Sequence, residues 1–322
     1  MTAPQSTSQG TSPMPPRTAY TPVVQRADDE VREAIAQGQR FEYAGDQARA
    51  HRAYATALAL AETPALRAEA VRRMGDTHRA RGAWTEARAA YDRSATLAEE
   101  AGLTDLYAEA LNADGGVAIL QGDAERATAV FERALQCNPG PRVRGLLLQN
   151  VGMLAARRRE HAHAVELFVA SLGCFRESGY RRGVLIALNN LGAARIEVGE
   201  PAAAVPLLRE AAAIARELQE LDLLLLTVRN EAEVCLQLGR LDEAEQYIGE
   251  ALGHFSKVGN EARRAECLVI LGDVQRARGE PMLDGVAARC YTLAAELAES
   301  VGAGPIATRA RAALAALPVS PG

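Results

Sequence analysis

The sequence predicts an all-α fold, an α-solenoid of antiparallel helix pairs. Three observations carry this. Aromatic residues are only 4% of the 322-residue chain, and Ala and Leu dominate, which suits helices packed through small residues rather than a sandwich or barrel. Glycines recur with a long period. Small and large apolar residues recur in phase with them.

The first glycine column is Gly45, Gly82, Gly122, Arg159, Gly199, Gly239 and Gly279, with spacings of 37, 40, 37, 40, 40 and 40 residues. Arg159 is its one departure. These positions lie between helical patterns, where a chain ends a helix with positive φ. Acids that suit the next helix start follow closely: Asp46, Glu86, Asp123, Asp242 and Glu243. Pro201 and Pro281 fall in first turns, where proline is tolerated.

A second column stands seven residues earlier: Gly38, Gly75, Gly115, Gly152, Gly192, Ala232 and Gly272. Small residues there let a partner helix approach closely. The partner supplies Ala50, Ala87, Ala127, Ala164, Ala204 and Ala244. Four residues on come Tyr54, Tyr91, Phe131, Phe168, Leu208 and Ile248. Three further on come Ala57, Ser94, Ala134, Ser171, Ala211 and Ala251. Large residues one turn from small ones fill the space beside each contact.

This pattern resembles the tetratricopeptide repeat, in which a Leu-Gly helix is followed by Gly, then A-x3-F-x2-A, then Pro. Gly115, Gly122, Ala127, Phe131, Ala134 and Pro139 show it in the third unit. The resemblance implies a right-handed superhelix of about seven repeats over residues 27–304, closed by a capping helix at 305–318. Residues 1–26 and 319–322 are expected to be tails, the first too polar to bury a core. The family period is 34, whereas the units here run 37 or 40. That difference of three residues is close to one helical turn, so the second helix of the 40-residue units is expected to run a turn longer than that of the 37-residue units. Three extra residues near Met282 to Asp284 displace the seventh unit's column to Ala287 and Tyr291.

The charge of -5 and pI near 5.7 argue against a general nucleic-acid or anionic-membrane binder. The longest apolar run, 221–228, is too short to span a bilayer, and no export signal is legible. Five cysteines, Cys137, Cys174, Cys235, Cys267 and Cys290, form no C-x-x-C pair. Free thiols in a reducing cytoplasm are expected, with Cys137 and Cys174 in core positions. No nucleotide-loop, nucleophile-elbow or zinc-helix motif is present, so no enzyme, cofactor or metal is expected. His161 and His163 point about 200° apart on a helix and suit a solvated helix start. Arg157, Arg158 and Arg159 could hold an anion, but such runs are usually solvated.

The candidate site is a pair of amide columns. Two residues before the packing glycine stand Asn150, Asn190 and Asn230; three before it stand Asn112, Gln149, Asn189 and Arg229. In the resembled family the first helices line a concave groove, and amides there hold the backbone of an extended peptide. An amide offers a donor and an acceptor, matching one peptide unit. With helices about 8–10 Å apart, one amide per repeat meets about every third ligand residue. Both Asn189 and Asn190 are expected to face this groove rather than the core. Met153, Ile196 and Leu236, with Ile119, Leu120, Leu146, Ile186 and Leu226, are expected to supply its apolar contacts. Arg72, Arg73 and Arg79 are expected to meet an acidic end of the ligand.

The function expected is that of a non-enzymatic cytoplasmic adaptor or regulator holding a protein or peptide segment in the groove. One alternative is a peptide-sensing domain that changes superhelix pitch. Another is a structural scaffold that self-assembles as a homo-oligomer.

Overall fold

The computed structural model describes residues 21–279 and 285–318, with side chains from Ala27 onward. The expected tail lies outside the described residues as far as residue 20, and a helix begins at Thr21. Pro281, the insertion near Met282 to Asp284 and the segment 319–322 also lie outside them.

The chain divides into two compact units, Met1–Ala110 and Leu111–Gly322. In the first, α1 (Thr21–Tyr43) packs on α2 (Gln47–Leu60), α2 on α3 (Pro64–Ala80), and α3 on α4 (Trp84–Glu100). The division falls inside α5 (Thr104–Leu120). The second unit continues with α6 (Ala124–Gln136), α7 (Pro141–Arg157), α8 (His161–Glu177), α9 (Arg181–Glu197) and α10 (Pro201–Leu218). It ends with α11 (Leu221–Gln237), α12 (Leu241–Lys257), α13 (Glu261–Ala277), α14 (Val286–Ser300) and α15 (Gly304–Ala315). From α6 onward each helix packs on the next, and α7, α9, α11, α13 and α15 also touch in series. The architecture is an all-α solenoid.

The packing columns are core. The Ala, the large apolar residue and the second small residue of each second helix are all essentially inaccessible, from Ala50, Tyr54 and Ala57 through Ala287, Tyr291 and Ala294. A methyl group added at Gly152 would sit 2.6 Å from the Phe168 ring, and one at Gly192 2.6 Å from Leu208. The glycines are therefore required by the close approach of a large side chain to the backbone of the paired helix. Ser94 and Ser171 use the same positions to donate to Ala68 O (2.7 Å) and Gly145 O (2.8 Å) across the pair.

The turns behave as one device. Gly45, Gly82, Gly122, Gly199, Gly239 and Gly279 all have φ between 67° and 94°. Arg159 adopts the same conformation with φ 62°, so its turn keeps its shape despite the Cβ. A side chain in the left-handed region carries a steric cost. Arg159→Gly is expected to raise stability by about 1 kcal/mol, read as an increased urea midpoint. Asp46 and Asp123 cap α2 and α6 by accepting from Arg49 N (2.9 Å) and Arg126 N (3.0 Å). The extra turn is present too. α2 and α6 have 14 and 13 residues, whereas α4, α8, α10 and α12 have 17, 17, 18 and 17.

The cysteines depart from expectation in part. Cys235, Cys267 and Cys290 are buried, but Cys137 and Cys174 are only half-buried, Cys137 because it caps the end of α6. Burial pushes the Cys235 thiol up to about 11 and that of Cys267 to about 12, which favours the protonated thiol over the nucleophilic thiolate.

Candidate functional site

The side-by-side first helices α7, α9 and α11 present one face built of matching positions. Leu146 and Ile186 are half-buried on it and Leu226 is 38% exposed. One turn further on, Asn150, Asn190 and Asn230 are half-buried. Met153 and Leu236 are half-buried too, and Arg229 is exposed. Ile196 is buried against Ala204, Leu208 and Val234, so it belongs to the core rather than the groove.

The two amide columns do different things. Asn189 is 3% exposed and Gln149 5% exposed, so neither presents its amide to a groove. This corrects the expectation for Asn189 and Gln149; in the same column Asn112 is half-buried and Arg229 exposed. One residue is 100° on a helix, enough to turn Asn189 towards the next repeat while Asn190 remains at the surface. Asn150 donates to Asn112 Oδ1 at 2.8 Å, and Asn230 donates to Asn189 Oδ1 at 2.9 Å. These amide–amide rungs tie α7 to α5 and α11 to α9. No such rung joins α9 to α7. There Gln149 Oε1 accepts from Ser171 at 3.2 Å, its buried Nε2 has no partner, and Asn190 makes no hydrogen bond to protein.

Asn189→Ala is accordingly expected to cost about 1–3 kcal/mol, because it strands the half-buried Asn230 donor and empties a packed position. Asn190→Ala is expected to stay within about 0.5 kcal/mol of wild type. Urea midpoints of the two variants check this difference.

The joint without a rung opens into a cleft of about 530 Å³. Its floor is Met153, Ala156, Phe168, Ala193 and Ala194, and its rim is Arg157, Arg159, His161, Asn190 and Glu197. The volume is that of a side-chain or small-ligand pocket. α7 contributes Met153 and Arg157 at its end, the left-handed turn contributes Arg159, and α8 contributes His161 as its first residue. His161 Nδ1 is shielded from solvent and lacks a partner, whereas His163 is exposed and lies 3.4 Å from Glu166. The two histidines thus diverge, and His161 is more enclosed than a solvated helix start implies. Asn190 and Met153 were legible as site residues from the repeat. Arg157 and Arg159 were readable as an anion seat, with a solvated run the favoured reading. His161 read as a solvated helix start, and Phe168 was readable only as a packing residue. Glu197 carried no signal, and Arg159 in a glycine column was the strongest one available.

The expected acidic-ligand contacts lie in the first unit and are already engaged. The Arg72 side chain is 13% exposed and lies 3.4 Å from Asp76 and 3.1 Å from Glu109. Arg73 and Arg79 approach Asp76 at 4.0 and 3.6 Å. Asp76 also accepts from Tyr91 at 2.9 Å. Asp76 and Glu109 offset two of the three cations, which weakens the field left for a ligand carboxylate. Among the described residues no three His, Cys, Asp or Glu side chains group to hold a metal ion, and no helix is long and apolar enough to cross a membrane.

Residues 184–218, most of α9 and all of α10, match the tetratricopeptide repeat family profile. No curated protein matches the chain by sequence. Three solved structures are similar in fold. BtubC (BKLC) from P. vanneervenii superposes with a TM-score of 0.58 at 17% identity, over 68% of this chain and 92% of that one. A signal transduction ATPase with numerous domains from Pyrococcus horikoshii, which has a tetratricopeptide repeat sensor, gives 0.61 at 13% identity over 91% of this chain. The match covers 47% of the ATPase, so the chain spans about half its length. Aspartyl phosphate phosphatase F from Bacillus subtilis gives 0.57 at 12% identity, over 84% of this chain and 71% of that one. The helix pairs, the glycine and small-residue columns and the profile match to residues 184–218 together define the class: an α-solenoid that contains a tetratricopeptide repeat.

Proposed function

We propose that the chain is a non-enzymatic binding protein that holds an extended segment of a partner protein against α7, α9 and α11. The observation that supports this most directly is the free amide of Asn190 on the rim of an apolar-floored cleft. The amide has no protein partner and stays open to solvent, and a peptide unit satisfies both its donor and acceptor. Asn150 and Asn230 each use one amide hydrogen on a neighbouring asparagine and keep their remaining amide capacity. Leu146, Ile186 and Leu226 run parallel to them and supply apolar contacts. Three amides alone give roughly 3–6 kcal/mol, short of the about 8 kcal/mol of micromolar binding, so the cleft's apolar floor must contribute.

Affinity capture with mass spectrometry, comparing wild type with Asn190→Ala, tests this. A partner retained by wild type and lost by Asn190→Ala, at unchanged far-ultraviolet circular dichroism, is expected. Equal retention by both proteins sinks the reading. Changing Asn150 or Asn230 is a poorer test, because each also joins two repeats.

A second reading, a sensor, draws on the missing rung. A ligand bridging α7 and α9 would supply there the cross-link that asparagine pairs supply at the neighbouring joints, and would stiffen that joint. Reduced amide hydrogen exchange in α7 and α9 on binding is the expected signature.

A further inference from the structure

We infer that the cleft between α7 and α9 selects an acidic side chain next to an apolar one in the bound segment, with the carboxylate seated on Arg157 and Arg159. This rests on the groove-binding reading above and names the chemistry it prefers.

Arg159 is the first ground. Its turn position has φ 62°, and the six equivalent turns carry glycine there. A strained residue at a cleft rim points to a role for the side chain rather than for the turn. Charge is the second. Arg157 and Arg159 both border the cleft and neither has a hydrogen bond or ion pair within the protein. Between them Arg158 turns away and donates to Thr128 at 3.2 Å. Many other guanidinium groups of the unit meet carboxylates, such as Arg176 with Glu210, Arg216 with Glu250, and Arg278 with Asp242 and Glu245. The exposed Arg144 and Arg229 do not, but neither borders the cleft. Against the two uncommitted cations the cleft wall sets one carboxylate, Glu197.

The third ground is His161 in the same wall, whose Nδ1 is shielded and unpartnered. The shielded Nδ1 is best left unprotonated, which puts the proton on the accessible Nε2, and a carboxylate seated on the two arginines supplies its acceptor. The floor of Met153, Ala156 and Phe168 takes the neighbouring apolar side chain. Asn190, on the opposite rim, holds the backbone between them. One carboxylate suits this seat better than a phosphate dianion, since Glu197 opposes additional negative charge.

The test uses the full chain, immobilised, and a randomised pool of nine-residue acetylated, amidated peptides, with a matching pool that contains phosphoserine. Retained peptides are sequenced for wild type, Asn190→Ala, Arg159→Gly and Arg157→Gln. Arg159→Gly places the residue its turn prefers, so folding is preserved, and circular dichroism checks this for every variant. Wild type is expected to enrich Asp or Glu at least fivefold beside Leu, Met or Phe. Arg159→Gly and Arg157→Gln are expected to retain peptides but lose that enrichment at least threefold. Retention of a pool with no acidic preference, or a preference that both arginine variants keep, overturns the carboxylate seat and leaves groove binding standing. Enrichment of phosphoserine above Asp and Glu also overturns it. If wild type retains no peptide, both readings fall.

Discussion

Phe175→Ala is expected to lower stability by about 3–5 kcal/mol, the largest loss from any single side-chain truncation proposed for this protein. Phe175 lies near the end of α8 and is 1% exposed. Its ring is clasped by the backbones of two successive first helices. A methyl group at Gly145 of α7 would stand 2.6 Å from the ring, and one at Gly183 of α9 also 2.6 Å. Tyr180 closes the edge, with ring centroids 5.6 Å apart in a T-shaped arrangement. Truncation therefore removes an aromatic side chain and opens a cavity between two glycine faces that have no side chains to refill it. Urea unfolding followed by circular dichroism measures the loss, and a value below about 1 kcal/mol contradicts the clasp. Coupling gives a sharper check. Gly145→Ala is expected to overpack the wild type and cost about 1–3 kcal/mol, but to recover part of the loss in the Phe175→Ala background.

Wild type is also expected to lose stability relative to Glu231→Gln as pH rises from about 4.5 to about 7, by about 3 kcal/mol in total. Glu231 lies in α11 and is 4% exposed, and its Oε2 has no hydrogen-bond partner. Burial pushes its carboxyl up to about 7; Glu250 adds to the shift, while Arg216 and Arg209 oppose it. The sign follows from the two states. Below the unfolded value, near 4.5, both states hold the proton and the group has no effect. Between 4.5 and 7 the unfolded chain releases it and the folded chain keeps it, so rising pH favours unfolding. Above 7 the penalty is complete. Glutamine cannot ionise, so urea midpoints at pH 5 and pH 8 should diverge between the two proteins, and contributions from other titrating groups cancel in the difference. Parallel midpoints would show that Arg216 and Arg209 neutralise the buried charge.

Asn189 shows where reading the repeat stopped being sufficient. Its column was visible because three successive units place amides there. The periodicity could not show which of two adjacent amide columns turns outward, because both lie within one turn of the packing glycine. Burial against the next first helix settles it, and that neighbour is 41 residues away at Asn230. Arg72 teaches the same lesson with charge. Its position on a first helix suggested a ligand contact, but Glu109, 37 residues further on, already faces it.

The sequence by itself determined the helix pairs, the turn positions, the ring-on-glycine packing and the extra turn of the long units. All of these are local or repeat at a fixed interval, so spacing encodes them. Tertiary structure decided which amides are spent between repeats and which one stays free. It also decided that the free one, Asn190, shares a cleft with Arg157, Arg159 and His161. Those outcomes depend on how first helices from different repeats settle against each other, a pairing of long-range neighbours that no single repeat specifies.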